Sequence, residues 1–319
     1  MVHIWGLAFL AYMVLSLLWT PIPGEGALEA RDFAALLTLC WIVGQFPREW
    51  IVRSMGLALV GLLVLHWTVV FGGQGNPNFE AELFALLIPW TFVGWWSVVG
   101  VVGAVIFLTL EPNLVWIAVM TVILGVACLL NLRVGLIGGG VLLAIGGIAA
   151  WLSKNVWSSV IARAEFWFNS GVMWLDKPVF GWGAGSFDWA YPLFQERHVA
   201  VWPSLDTKLH PITYYAGAAH NEVLQILAQY GLVGLLIAGA GLFCLFSRKA
   251  DPRAIWTLFI GAALSMTGFP LHNPATGLVL AVSAGVLACG LPRWRWRDLF
   301  PSRVTLQLSR LSRSLSFGH

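Results

Sequence analysis

The chain has 319 residues, of which 59% are hydrophobic and 10% charged, with a formal net charge of +3. An ordinary soluble domain carries about 25% charged residues, so this composition excludes a water-soluble globule. Apolar runs near the ~20 residues that cross a bilayer core recur along the whole sequence. Open sheets leave backbone groups unpaired in lipid, and a barrel shows short alternating segments, so the pattern predicts an all-α, polytopic transmembrane helical bundle.

In chain order, the predicted spans are 3–20, 32–46, 52–71, 81–96, 97–110, 113–130, 134–152, 222–246, 254–269 and 275–290, ten in all. The first lacks a basic leader and a small-residue cleavage site at Thr20-Pro21, so it reads as a retained span. The run 81–110 is nearly continuous, with breaks suggested only at Gly94 and Ser97. These bounds give an N-terminal transmembrane bundle (1–152), one large loop (153–221), C-terminal transmembrane helices (222–290) and a basic tail (291–319).

With the N-terminus inside, the inner segments hold Arg48, Arg53, Arg133, Arg248, Lys249, Arg253 and the tail arginines, twelve of the 18 basic residues. That bias sets orientation and puts the large loop on the outer face. The tail, basic with interleaved apolar residues, suits the anionic inner leaflet; nothing supports a nucleic-acid partner. Cys40, Cys128, Cys244 and Cys289 all fall inside predicted spans, lack metal spacing and read as apolar filler. Many of the 19 tryptophans lie near span ends, as interfacial anchors do.

Four stretches carry candidate chemistry. GNPNFEAEL (75–83) reads first as a tight turn, with Asn78 placed to cap the following span. In RAEFWFNSGVMWLDKPVFGWGAGSF (163–187), residues 163–175 have helical spacing. Arg163 either snorkels to lipid phosphate or grips a diphosphate by charge-assisted bonds. Gly181, Gly183 and Gly185 resemble a dinucleotide fingerprint only loosely, with no βαβ context, and predict a bent, close-packed turn.

The 196–215 region holds Arg197, His198, Lys208 and His210, for which plain solvation is sufficient; Arg197 is the candidate second anion ligand, with Lys208 in support. Then comes His220-Asn221-Glu222. Asn221 can cap the helix from Val223, and Glu222 suits its first turn. His220 stands outside the helix, either as a base titrating near ~6.5 or as a structural residue bonded to the loop backbone. His272, in GFPLHNP, can reach the same outer cleft, and His66 lies alone within a span. No carboxylate pair, zinc spacing or P-loop is present, so no metal or cofactor is expected.

The GNPN turn, Arg-x-x-x-Trp at 163–167, Pro-x-x-GWGxGSF at 178–187 and AHNEVLQILAQYGLVG at 219–234 resemble the O-antigen ligase/polymerase superfamily, the Wzy-C family. The resemblance implies an inner-membrane glycosyltransferase of the GT-C type, active on the periplasmic face. Its donor is a glycan on undecaprenyl diphosphate, and its acceptor lipid A–core, another glycan or a protein. It implies His220 as catalytic base and Arg163 as diphosphate ligand; the residues themselves offer Asn221, Glu222, His272 and Lys208 as supporting groups. The family's Ser-Arg-Gly element has no counterpart in its place, where Glu111-Pro112 stands, and Arg133 falls on the opposite side; either the span count is off by one or the second ligand comes from elsewhere, with Arg197 the candidate. The chain is also shorter than typical members, which have about twelve spans by the same resemblance. The competing expectation is a transporter or flippase of lipid-linked oligosaccharide, which calls for broken helices near the midplane and internal pseudo-symmetry.

Overall fold

The computed structural model describes residues 2–70, 77–91, 96, 98–100, 102–103, 154–201, 217–246 and 251–288. Regular structure among them is entirely α-helical. The helices are α1 (Val2–Ser16), α2 (Pro23–Val43), α3 (Arg48–Val70), α4 (Pro77–Thr91), α5 (Lys154–Asp176), α6 (Phe187–Val201), α7 (Glu222–Phe246), α8 (Pro252–Leu264) and α9 (Pro274–Ala288).

Local chemistry sets several helix ends. Pro23 and Pro252 sit in first turns, where a missing N–H costs no helical bond. Asp251 caps α8 by accepting from the Arg253 N–H at 3.0 Å. α4 starts at Pro77, so Asn78 lies within its first turn and not ahead of it as a cap.

Three apolar clusters hold the helices together. α3, α4, α8 and α9 meet around the fully buried Leu59, Phe84, Leu86, Trp90, Leu264 and Leu287. α1, α2 and α7 meet around Phe9, Met13, Ala30 and Tyr230. α5 and α6 pack Phe166, Met173, Phe187 and Tyr191 against Ala228 of α7. The stretch read as one large loop is therefore substantially helical, and α5 begins well before the helical spacing at 163–175.

Apolar side chains cover much of the outside as well as filling the core. Leu57, Leu236 and Phe243 are 62%, 64% and 75% exposed, whereas Glu82, Gln225 and Gln229 are buried. Such a surface is stable against hydrocarbon and not against water. Among the described residues one helix, α7 with 25 residues, is long and apolar enough to cross a membrane by length and composition. His3–Ser16, Ala81–Thr91, Pro252–Leu264 and Pro274–Ala288 are apolar but shorter. The span expected over 254–269 ends early, at Leu264, because residues 265–273 leave the helix to form turns. The spans expected at 113–130 and 134–152, with Glu111-Pro112 and Arg133, lie outside the described residues, as does most of 97–110.

One helix break positions the site. α7 loses helical geometry at Gly231, with φ 62° and ψ −164°. The turn at 178–183 docks there backbone to backbone. Trp182 N–H donates to Ala228 O at 3.0 Å, Gly183 N–H to Gln229 O at 2.7 Å, and Leu232 N–H to Pro178 O at 2.9 Å. A Cβ on Gly181 would strike the Gln229 carbonyl, and one on Gly231 the Val179 carbonyl. Gly181, Gly183 and Gly185 all have positive φ, so the bent, close-packed turn expected from the sequence is present.

Candidate active site

The start of α7 is built as its sequence suggests. Asn221 Oδ1 accepts from the Leu224 N–H at 3.1 Å, an N-cap bond, and Glu222 occupies the first turn. His220, just ahead, has φ 50°, the positive value recorded for a non-glycine residue among those described. The surroundings impose this conformation. Trp167 Nε1 donates to His220 O at 3.2 Å, and the Ala219 N–H donates to Gln225 Oε1 at 2.7 Å. Strain of this kind, of order 1–3 kcal/mol, persists where neighbouring contacts over-determine the backbone.

The imidazole of His220 stacks on Phe166, with centroids 5.3 Å apart, and takes the edge of Phe269 at 4.7 Å. Its ring forms no hydrogen bond among the described residues. The bond to the loop backbone expected of a structural histidine is not found among the described residues; the His220 carbonyl accepts instead from the Trp167 side chain. Burial, with the Arg163 charge in second place, pushes the imidazole pKa down to about 4. His220 is therefore neutral at physiological pH, well below the ordinary value assumed from sequence.

The turn that follows α8 gathers the other groups, one residue at a time. Ser265 O accepts from the Glu222 N–H at 2.8 Å, and Met266 O from Asn221 Nδ2 at 3.2 Å. Thr267 O accepts from Arg163 Nε at 2.7 Å. A Cβ on Gly268 would lie 2.7 Å from Glu82 Oε1. Arg163 of α5 and Glu82 of α4 are both buried, and Glu82 Oε2 has no hydrogen-bond partner. Burial lowers the Arg163 pKa, opposed by the neighbouring Glu82 carboxylate.

Below this cluster runs a polar network. His272 Nδ1 lies 3.2 Å from Glu222 Oε2, and Nε2 lies 3.7 Å from Glu29 Oε1. Glu29 accepts from Tyr230 Oη at 2.9 Å, Gln229 Nε2 at 2.9 Å and the Gly185 N–H at 2.6 Å. Gln229 Oε1 accepts from Gln225 Nε2 at 3.1 Å, which leads back to the Ala219 N–H. Burial opposes charge on His272, but the carboxylates of Glu222 and Glu29 outweigh it and raise its pKa well above the usual range. His272 is thus an imidazolium bridging two carboxylates.

The structure brings together His220, Asn221, Glu222, Arg163 and His272. The side chain of Arg197, in α6, is outside the described residues, and so is Lys208. Among the described residues no three His, Cys, Asp or Glu side chains are grouped to hold a metal ion. Sequence reading missed Glu82 and Glu29. The signal for Glu82 was available, since an ionisable residue inside an apolar run is a functional candidate.

A helical molecule with exposed apolar faces, and with a histidine, an arginine and buried carboxylates gathered at one end, has the build of a membrane protein with a polar site. Residues 81–239 match the family model Wzy_C, described as O-antigen ligase. The chain belongs to this family of membrane-integral bacterial proteins, which are associated with O-antigen ligase and polymerase activity of the glycosyltransferase type, on lipid-linked glycans. No curated protein matches the chain. Glu82, Arg163 and His220 to Glu222 fall within the matched stretch, whereas Glu29, the 265–268 turn and His272 complete the cluster from outside it.

Proposed function

We propose that the protein transfers a glycan from undecaprenyl diphosphate to an acceptor hydroxyl, on lipid A–core or on another glycan, at the periplasmic face of the inner membrane. The observation that carries this reading is His220: a neutral imidazole whose ring makes no hydrogen bond among the described residues, beside a buried arginine. A free ring nitrogen is what a general base needs, and a low proton affinity in the empty site keeps it unprotonated.

Arg163, with Arg197 and Lys208 as further candidates, binds the donor diphosphate. The arriving phosphates cancel the arginine's field at His220 and so raise its basicity when the acceptor is present. His220 then takes the acceptor proton while the acceptor oxygen attacks the anomeric carbon. The bond to the diphosphate oxygen breaks, and Arg163 stabilises the charge that develops there. Asn221 and Glu222 hold the histidine at the helix entrance, and His272 fixes Glu222. No step calls for a metal or cofactor. On this reading the 153–221 stretch is periplasmic, within a multi-pass chain.

Purified protein in liposomes, given an undecaprenyl-diphosphate glycan alone and then with lipid A–core, tests the assignment. Longer lipid-linked glycan from donor alone identifies a polymerase, and product only with lipid A–core identifies a ligase. No transfer by folded protein from a verified donor would sink both.

The transporter reading gains one observation, the break in α7 at Gly231. However, the carbonyls of Ala228 and Gln229 at that break accept from Trp182 N–H and Gly183 N–H. Those carbonyls of the break are consumed in packing, which favours the enzyme.

A further inference from the structure

Glu82 is a polar group of the cluster that the proposed chemistry leaves unused. It is 4% exposed, and Arg163 beside it is 9% exposed. Glu82 Oε1 faces Gly268, where any side chain would collide with it, and Oε2 has no hydrogen-bond partner. A buried carboxylate oxygen without a partner is costly, and costlier still when the group is ionised. The cost is not structural necessity, because a glutamine or an apolar residue fills the same volume. It points to a second state of the site in which that oxygen is used.

The charges around Glu82 define that state. Two charged groups face it among the described residues: Arg163 from α5 and Glu222 from α7. The turn packed against it from the end of α8 presents Gly268 backbone and no charge. His220, the other titratable group facing Arg163, is neutral. When ionised in the empty site, Glu82 offsets the guanidinium. A diphosphate diester brings about two negative charges to the same guanidinium. Two anions and one cation at close quarters in a site of low polarity are not simultaneously stable, and one must be neutralised. Arg163 cannot supply the compensation, being always protonated, and the diester has no proton affinity near neutral pH. Glu82 can. Its unpartnered oxygen is free to carry the proton and then to donate a hydrogen bond instead of repelling an anion.

We propose that Glu82 is the internal counter-anion of Arg163, and that a lipid-linked diphosphate binds at the guanidinium with uptake of one proton by the Glu82 carboxyl. The step moves one proton from solvent to a carboxylate oxygen and breaks no other bond. It rests on the reading of Arg163 as the diphosphate ligand.

The test uses full-length protein in nanodiscs and an undecaprenyl-diphosphate monosaccharide as the probe. Binding is followed calorimetrically between pH 6 and pH 8 in buffers of different ionisation enthalpy. Wild-type protein is expected to take up protons on binding, approaching one per lipid at pH 8, with affinity falling toward tenfold per pH unit at that alkaline end. Glu82→Gln keeps the shape and a hydrogen-bond donor but cannot titrate. It is expected to abolish the uptake, to flatten the pH dependence, and to bind about tenfold more tightly than wild type at pH 8. His220→Ala is expected to retain the uptake, which separates the two titratable neighbours of Arg163.

Wild-type binding without proton uptake overturns the proposal, whatever the folding of the variants. Undiminished uptake in Glu82→Gln overturns it as well. Arg163→Ala with wild-type affinity instead removes Arg163 as the diphosphate ligand, a failure of the underlying reading that the other measurements do not imitate.

Discussion

Two buried charge clusters lie at opposite ends of the helices, and they are built on different principles. At the end where α3 and α8 begin, Asp251 accepts from the Arg253 backbone N–H and Nε through Oδ1, and from Arg253 Nη2 through Oδ2 at 3.0 Å. Arg48 pairs with the same carboxylate, and the Arg253 guanidinium lies 5.8 Å from the Trp90 ring centroid. Here every atom of the anion is matched, and the cluster caps and fastens helices. At the other end the Glu82 carboxylate leaves Oε2 without a hydrogen bond, and the His220 ring has aromatic neighbours but no hydrogen bond among the described residues. Completed charge pairs read as architecture. At the second end an unpartnered carboxylate oxygen and a neutral imidazole stand beside a buried arginine, an arrangement suited to receiving an anion.

The sharpest way to break this contrast is to truncate one residue at each end. His220→Ala should lower the transfer rate by ~10²–10⁴, the usual contribution of a positioned base, while thermal unfolding stays near wild type. Near-normal transfer at equal expression would remove His220 from the chemistry. The pH profile sharpens the same point. Because the pKa of His220 is pushed down to about 4, its neutral form persists through acid pH. The acid limb of kcat/KM assigned to this group should therefore fall near pH 4 and not near 6.5. An acid limb at the ordinary histidine value would show that the free ring is better solvated than its aromatic neighbours imply.

Asp251→Ala should do the reverse. Removing one partner of a buried ion pair costs about 3–5 kcal/mol, because two arginines lose their counter-charge. Denaturant unfolding in detergent should show that loss, with transfer per folded molecule unchanged. A specific loss of turnover at unchanged stability would erase the distinction between the two ends.

A smaller effect is expected at Gly185, which joins the glycine turn to the site. Its φ is 69°, its N–H donates to Glu29, and a Cβ would press on the backbone at Gly26. Gly185→Ala should cost about 1–2 kcal/mol for the left-handed backbone alone. The readout that ties it to function is a matching weakening of substrate turnover, since Glu29 would lose its grip on His272.

The site was legible in sequence where its residues are neighbours along the chain or punctuate a helix. His220, Asn221 and Glu222 stand together at a helix start, and Arg163 lies on the recognisable approach to the glycine turn. The glycines themselves announced a bent turn, and positive φ explains why. What could not be read was the convergence of α4, α2 and the 265–268 turn. Ser265, Met266 and Thr267 contribute backbone carbonyls, which leave no trace in side-chain identity. Glu82 was hidden inside a stretch whose Asn-Pro spelled a turn, and Glu29 lay ahead of a predicted span among other exposed acids. The all-α architecture followed from composition. The helix ends did not, because α8 stops at Leu264 to free those carbonyls rather than where its apolar run stops.

The finest test of that last point is Asn221, which serves both the helix and the turn. Its Oδ1 caps α7 through Leu224 N–H, and its Nδ2 donates to Met266 O at 3.2 Å. Asn221→Ala should cost about 1 kcal/mol, the usual loss of a capping side chain. Asn221→Asp keeps the cap and suits the helix dipole, yet it replaces the donor with a carboxylate oxygen facing a carbonyl. If capping is the whole role, the Asp variant should match wild type in stability and turnover. If the tie to Met266 is what holds His220 against Arg163, the Asp variant should be as stable as wild type, or nearly so, and yet slower. Its loss should then appear in kcat rather than KM, because the base is displaced while the diphosphate ligand stays in place.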